Sequence, residues 1–456
     1  MTRKLFGTDG IRGTANKYPM TCEVALNVGR AVARIFKKSN AAGIKNKIVL
    51  GRDTRISGQM LENAVASGIC SEGVDVIKVG ILTTPDLAFI TKEEKALAGI
   101  MISASHNPYE DNGIKIFAKG GLKLSDELEG EIENLIFNFL DKSEGEESNV
   151  ISYEIGQVYN LDANSDYVTH IKNAFPGNLN LHGIKLVVDC ANGAGYLVAP
   201  EIFKKLGAEV VVINDKPNGI NINLNCGATD TKMLSKVVVS TSADIGIALD
   251  GDADRLIVVD EKGSLIDGDN IMALCAADLK NRKKLKKDTV VVTVMSNMGL
   301  DIAMNNSGIN VVKTDVGDRY VLEEMQKNDY NFGGEQSGHL IFLDHATTGD
   351  GILSAAMVLA IMKKSGKKIS ELGRVMKKLP QVLINVKIKR KENINSIPGI
   401  RDEIIKSERE LLGMGRILVR FSGTENLCRV MVEAPTHEIS ERIARKVADA
   451  VELNLN

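Results

Sequence analysis

Three stretches of the chain repeat one pattern, and that pattern limits the fold more than any other feature. VLGRDTRISGQMLENAVASGICSEGVDVIKVG begins at Val49, LVVDCANGAGYLVAPEIFKKLGAEVVVIND at Leu186, and VVTVMSNMGLDIAMNNSGINVVKTDVGD at Val291. Each reads as an apolar strand, a loop of small and polar residues, a helix, a glycine and a second strand. Such a unit crosses over right-handed and lays its strands in parallel or mixed sheets. Three of them predict three related α/β domains. Ligands of such sheets gather at the loops beyond the strand carboxyl ends.

The rest of the chain fits around these units. Val24, Ala25, Val28, Ala31, Val32, Ile35 and Phe36 share one helical face, and KIVLGRD at 47–53 reads as a buried strand that runs into a polar loop. After residue 380 the pattern changes. QVLINVKIK alternates like a half-buried strand, then come strand RILVRF, loop SGTEN, strand CRVMVEA, and a helix with Ile439, Ile443, Val447, Ala450 and Val451 on one side. This predicts a smaller C-terminal α+β domain. DKSEGEESN (141–149) reads as an exposed linker and KRKENINSIPG (389–399) as a loop inside the last domain. The expected divisions are 1–150, 151–256, 257–370 and 371–456 of the 456 residues.

Composition narrows the function. The 57 basic and 59 acidic side chains nearly cancel, and no long basic run stands out. That argues against a nucleic-acid or anionic-membrane surface. No apolar run approaches the roughly 18 residues that span a bilayer, and MTRKLFGTDGIRG carries no apolar leader-like segment. The six cysteines are scattered without a CxxC, as expected of reduced thiols in a cytoplasmic protein.

Four short blocks carry chemistry. In LDGDADRLIVVD, Asp250, Asp252 and Asp254 alternate with Gly251 and Ala253. Small spacers let three carboxylates converge, and their repulsion calls for a cation. A hard divalent ion answers it, Mg²⁺ if phosphate supplies a further oxygen. A calcium hand fits worse, because Arg255 stands where its loop needs glycine and LIVVD reads as a strand; a solvated acidic turn is the plain alternative. In VRFSGTENLCRV, Arg420, Ser422, Gly423, Thr424 and Arg429 offer guanidinium forks, hydroxyls and backbone N–H groups of the kind that hold phosphate, or else an ordinary hairpin with surface arginines. In GGEQSGHL, Glu335, Ser337 and His339 could meet a polar ligand, with Asp318 and Arg319 of TDVGDRY near in sequence. GTDGIRG places Arg12 in a glycine-rich turn that matches neither a dinucleotide fingerprint nor a P-loop.

The fourth block is ISASHNPYEDNGIKIF, residues 102–117. Ser105 and His106 adjoin in what reads as an extended segment, so their side chains should diverge. No G-x-S-x-G elbow surrounds the serine, and Ser, Asn and Pro also form turns. A serine that carries a phosphoryl group would use all the other parts: a carboxylate-bound cation, a phosphate cradle and a polyol loop.

SASHNP, DGDADR, GEQSGH and RFSGTEN occur in this order along the whole chain, and in them the chain resembles the α-D-phosphohexomutase family. The resemblance implies a four-domain, heart-shaped architecture, three related α/β domains plus the C-terminal one, around a central cleft. It implies that Ser105 is phosphorylated and that Asp250, Asp252 and Asp254 bind Mg²⁺ together with it. Arg12, His106, Lys115 and Arg255 would line the reaction centre. Glu335 and Ser337 would grip sugar hydroxyls, and Arg420, Ser422, Gly423, Thr424 and Arg429 the non-reacting phosphate. A sugar 1,6-bisphosphate would serve as primer. GTDGIRG and GEQSGH look most like the branch that interconverts glucosamine 6-phosphate and glucosamine 1-phosphate; a mannose- or glucose-phosphate mutase and a non-catalytic sugar-phosphate-binding regulator are the alternatives. The implied partners are small-molecule sugar phosphates, with no nucleic acid and no membrane, and a homodimer is compatible. The phosphate loop often reads RPSGTEP in this family, whereas Phe421 and Asn426 replace its prolines here.

Overall fold

The structure, a computed structural model, describes residues 4–7, 9–38, 46–141, 148, 150–422 and 426–455. Most of the expected 141–149 linker, and Gly423 and Thr424 of the phosphate loop, lie outside the described residues. The chain forms two compact units, residues 1–295 with 309–374, and residues 296–308 with 375–456.

The larger unit contains three sheets. In the first, Ala98–Ile102, Lys47–Arg52, Asp75–Ile81 and Val158–Asn160 run parallel in that order. Asp111–Ala118 and Gly10–Thr14 extend it antiparallel beyond Ala98–Ile102. The sequence AGIMI of the central strand is buried at every position, as expected where layers cover both faces. The helix Cys22–Lys38 packs against Gly58–Ser71 at two glycines. A Cβ on Gly29 would stand 2.2 Å from Val65 O, and one on Gly68 2.0 Å from Leu26 O. Only hydrogen at these positions lets the two backbones approach so closely.

The second sheet runs Glu209–Ile213, Lys185–Asp189, Ile245–Leu249, Leu256–Asp260, Leu265–Ile266. The third runs Asn310–Thr314, Thr289–Thr293, Phe332–Gly334, Leu340–Phe342. All three predicted strand–helix–strand repeats pair their strands in parallel. The expected divisions at 150 and 256, however, each cut through a sheet. Val158–Asn160 pairs with Asp75–Ile81 of the first sheet, and Leu256–Asp260 folds back on Ile245–Leu249 of the second. Sheet pairing therefore carries the first sheet past residue 150 and the second as far as Ile266.

The smaller unit is an antiparallel sheet, Gln381–Lys387, Leu427–Glu433, Arg416–Phe421, with helices Pro398–Leu411 and His437–Leu455. Ile400, Val430, Val432, Ile443, Val447 and Val451 form its core, each buried side chain worth about 1.5–3 kcal/mol. Segment 296–308 joins it through buried Glu433, which accepts from Met298 N at 2.7 Å and from Arg416 Nε at 2.9 Å. No helix among the described residues is long and apolar enough to cross a membrane.

Candidate active site

The carboxyl ends of the central strands converge. Ser105 follows Ala98–Ile102, the three aspartates follow Ile245–Leu249, and Glu335 follows Phe332–Gly334. This is where parallel sheets place ligands. The aspartate loop leads straight into the strand Leu256–Asp260, which removes the calcium-hand alternative, since that hand needs a helix there.

Asp250, Asp252 and Asp254 are buried and offer carboxylate oxygens that all lie within 4.8 Å of one another. Burial, then Asp254 and Asp252, push the Asp250 carboxyl well above the ordinary range. Asp252 Oδ1 and Asp254 Oδ1 are buried without a hydrogen-bond partner among the described residues. Orphaned oxygens clustered at this range fit a small divalent cation.

Ser105 Oγ donates to Asp250 Oδ2 at 2.5 Å. The segment is not extended, contrary to expectation. Ser105 adopts φ 53°, a left-handed conformation that costs a non-glycine residue about 1–3 kcal/mol. This turn brings His106 Nδ1 to 3.4 Å from Ser105 Oγ, so the two side chains converge rather than diverge. Burial, then Arg255 and Arg12, lower His106 to about 4.

Lys115, on Asp111–Ala118, reaches Asp252 at 2.8 Å, Asp9 at 2.9 Å and Asp254 at 3.3 Å. Burial alone would lower its pKa; Asp252, Asp9 and Asp254 outweigh that and hold it well above the ordinary value. Arg12 pairs with Asp9 at 2.5 Å and reaches Ala104 O at 3.4 Å. Arg255 Nε stands 3.9 Å from Asp254 and 4.0 Å from Asp250.

The loop of residues 335–339 closes the hairpin between Phe332–Gly334 and Leu340–Phe342. Glu335 Oε1 accepts from Gly317 N at 3.1 Å, and Ser337 Oγ lies 3.5 Å from Oε2. Glu335, Gln336 and Ser337 line a cavity of about 470 Å³ with Arg255, Thr293, Met295 and Val316. His339 is placed differently. It is buried between Asp318, 3.1 Å from Nε2, and Asp254, 3.7 Å from Nδ1. Burial would lower its pKa, but Asp318 and Asp254 raise it. Asp318 pairs with Lys123, while the Arg319 guanidinium is ion-paired with Asp126, Glu129 and Glu323.

Sequence reasoning missed Asp9 and Lys123. Asp9 binds Lys115, Arg12 and Lys123, the last at 2.7 Å. With Lys123 bridging to Asp318, the ionisable side chains Asp9, Lys115, Asp254, His339, Asp318 and Lys123 form a closed ring, in which His339 Nε2 also accepts from Gly349 N at 2.9 Å. Burial would raise Asp9, but Lys115, Lys123 and Arg12 hold it well below the carboxylate range. The Asp in GTDGIRG was a readable signal; Lys123 had none.

In the smaller unit, Arg420 and Arg429 stand directly opposite on paired strands. Like charges in register repel, and burial together with Arg429 lowers Arg420. Ser422 is buried, its N–H bonded to Leu427 O at 2.8 Å and its carbonyl to Lys391 Nζ at 2.7 Å. Phe421 packs on the core and Asn426 O accepts from Ile388 N, so both proline replacements are anchored.

Models of the phosphoglucomutase/phosphomannomutase family match in chain order: alpha/beta/alpha domain I over residues 3–142, domain II over 165–263, domain III over 267–379, and the C-terminal domain over 383–450. The chain belongs to the phosphoglucomutase/phosphomannomutase family. It has the three α/β domains and the smaller C-terminal domain expected of a phosphohexomutase. Among curated relatives, a phosphoglucosamine mutase of Geotalea daltonii is 53% identical over 454 residues, covering 99% of this chain and 98% of that one. One of Geobacter metallireducens is 54% identical over 451 residues, with 99% and 98% covered. Among solved structures, a phosphoglucomutase/phosphomannomutase family protein of Burkholderia thailandensis superposes with TM-score 0.80 at 24% identity, covering 98% of each chain. N-acetylphosphoglucosamine mutase of Aspergillus fumigatus, solved with GlcNAc-6P and magnesium, gives 0.69 at 21% identity, covering 99% and 96%.

Proposed function

We propose that this phosphohexomutase interconverts glucosamine 6-phosphate and glucosamine 1-phosphate through phosphorylated Ser105. The observation that carries the reading is Ser105 Oγ bonded at 2.5 Å to the first of three clustered, buried aspartates. A purely binding protein has no need to hold a hydroxyl against such a cluster. The full-length relatives named phosphoglucosamine mutase support the amino sugar.

In the first step a sugar hydroxyl attacks phosphorus on Ser105. The P–Oγ bond breaks, a P–O bond to the sugar forms on the opposite face of phosphorus, the hydroxyl proton passes to a base on the sugar side, and the departing Ser105 oxygen takes up a proton. His106, 3.4 Å from Oγ, is the ring beside the leaving serine oxygen. Lys115 sets a buried cation beside Asp252 and Asp254 and offsets charge as it develops. The resulting 1,6-bisphosphate turns end for end, and Ser105 then takes the other phosphoryl group. Asp250, Asp252 and Asp254 would hold Mg²⁺, which when bound draws charge from the phosphoryl oxygens. Glu335 and Ser337 orient the sugar, with Gln336 and Glu335 facing its amine. Arg420 and Arg429, with Ser422, Gly423 and Thr424, take the phosphate that is not reacting; an anion between the opposed guanidinium groups relieves their repulsion. Asp318, Arg319 and His339 support the sugar loop. A sugar 1,6-bisphosphate primes the serine.

The test compares kcat/KM for glucosamine 1-phosphate, glucose 1-phosphate and mannose 1-phosphate, with Mg²⁺ and a bisphosphate primer. The amino sugar is expected to lead. Equal or reversed preference moves the protein to the mannose- or glucose-phosphate branch. Binding without turnover on all three overturns the catalytic reading in favour of a regulator.

A further inference from the structure

Arg55 is among the largest fully buried side chains of the protein. Its guanidinium makes five hydrogen bonds, as many as it has N–H donors. Nε donates to Asp53 Oδ2 at 2.9 Å. Nη1 donates to Pro108 O and, at 2.9 Å, to Asp111 O. Nη2 donates to Ser105 O and to Asn107 O, both at 2.9 Å. Four of the five acceptors are main-chain carbonyls of residues 105–111, the loop that begins at Ser105 and the first residue of the strand after it.

The same pair governs the other side of Ser105. Asp53 Oδ2 accepts from Ser103 Oγ at 2.7 Å, and Ser103 Oγ in turn accepts from Ser105 N at 3.0 Å. Both polar backbone groups of Ser105 are therefore tied to Asp53 and Arg55. A second set of donors comes from the other sheet's loop. Asn223 Nδ2 donates to Ser105 O at 2.8 Å and to Asn107 O at 3.0 Å. So two side chains, from loops attached to different sheets, grip the same two carbonyls.

This effort holds Ser105 at φ 53°. If the turn were only a connection, glycine would adopt it without strain. A side chain is kept there, and the turn delivers its oxygen to Asp250. Strain held by surrounding bonds at a reacting group is a mark of pre-organisation.

We propose that Arg55 and Asn223 are positioning residues for phosphoryl transfer, fixing the left-handed turn that aims the Ser105 oxygen. The proposal rests on Ser105 being the phosphoryl carrier. Neither residue need touch the sugar; both act through the Ser105 and Asn107 carbonyls.

The experiment measures phosphorylation of Ser105 by glucosamine 1,6-bisphosphate in a single turnover, beside steady-state kcat and KM. Arg55→Lys keeps a charge for Asp53 but cannot span four carbonyls. Asn223→Gly removes the amide at a position whose φ of 58° suits glycine. Arg55→Lys is expected to slow Ser105 phosphorylation and kcat together by roughly a hundredfold, and Asn223→Gly by roughly tenfold, with KM nearly unchanged. A folded Asn223→Gly variant phosphorylated at the wild-type rate overturns the proposal, as does a loss confined to KM. Should Arg55→Lys fail to fold, Asn223→Gly decides alone. Wild-type turnover in Ser105→Ala would overturn the phosphoserine reading instead, so the two failures are distinct.

Discussion

Gly251 lies against the carbonyl of Ser105: a Cβ at 251 would stand 2.5 Å from that oxygen. The aspartate loop and the serine loop are thus in backbone contact, and only hydrogen fits between them. The oxygen cannot retreat, because Arg55 and Asn223 hold it. Gly251→Ala should force the loops apart, with an overpacking cost of about 1–3 kcal/mol. The expected result is a thermal midpoint lowered by a few degrees and kcat lowered by roughly a hundredfold. Wild-type kcat in the folded variant would show that the contact has slack.

Asp252 accepts from Thr84 Oγ1 at 2.5 Å and from Lys115 Nζ at 2.8 Å through Oδ2, while its buried Oδ1 has no hydrogen-bond partner among the described residues. That spare oxygen is the one a cation would take. Asp252→Asn keeps the shape and removes the charge. Turnover should fall by roughly a hundredfold or more, and half-saturation by Mg²⁺ should move to higher concentration. An unchanged Mg²⁺ titration would contradict the three-aspartate site. Chelation of wild-type protein should abolish turnover, and added Mg²⁺ should restore it.

The parts legible in the sequence were the local ones. Asp250, Asp252 and Asp254 fall within five consecutive residues, and Arg420 and Arg429 flank one hairpin. The three repeats announced themselves because strand, glycine and helix signals lie close along the chain. What escaped notice depends on distant residues. Lys123 is 114 positions from Asp9 and 195 from Asp318, and nothing in GGLKLS marks it. Arg55 sits in RDTR, which reads as a polar loop, yet it is buried by the carbonyls of the serine loop. Those carbonyls also turn Ser105 out of the extended conformation that the preceding apolar run suggested. The sheet limits were missed because Val158–Asn160 is exposed at all three positions and shows no alternation.

Lys123 supplies one of the two lysines in the ring of ionisable side chains. It bridges Asp9 and Asp318, all three side chains being largely buried. Removing one member of a buried ion pair leaves its partner uncompensated, at a cost of about 3–5 kcal/mol. Lys123→Met should therefore destabilise strongly and reduce activity. Adding Asp318→Asn should recover part of the lost stability, because it removes the charge left behind. Additive losses in the double variant, measured by denaturant unfolding of the larger unit's transition, would show that the bridge carries no coupling.

Asp86 supplies a pH-dependent prediction. It sits in the first turn of the helix Thr84–Glu93, fully buried, with no hydrogen-bond partner for either carboxylate oxygen among the described residues. Burial, then Asp350, Asp166 and Asp162, push its pKa well above the ordinary value. Asp350, which caps the helix Gly351–Ser365, is itself pushed up to about 6. The folded protein thus keeps a proton on Asp86 where the unfolded chain, with a pKa near 3.9, has lost it. Stability from this group is fully present below the unfolded pKa and is lost as pH rises through the folded one. Asp86→Asn cannot ionise and escapes that loss. Its thermal midpoint should exceed that of wild type by a margin that widens as pH rises from the unfolded pKa toward the raised folded one, the wild type losing up to about 1.4 kcal/mol per pH unit over that interval. A margin that stays constant as pH rises above the ordinary carboxylate range would mean that Asp86 titrates normally in the fold and has a partner that offsets its burial.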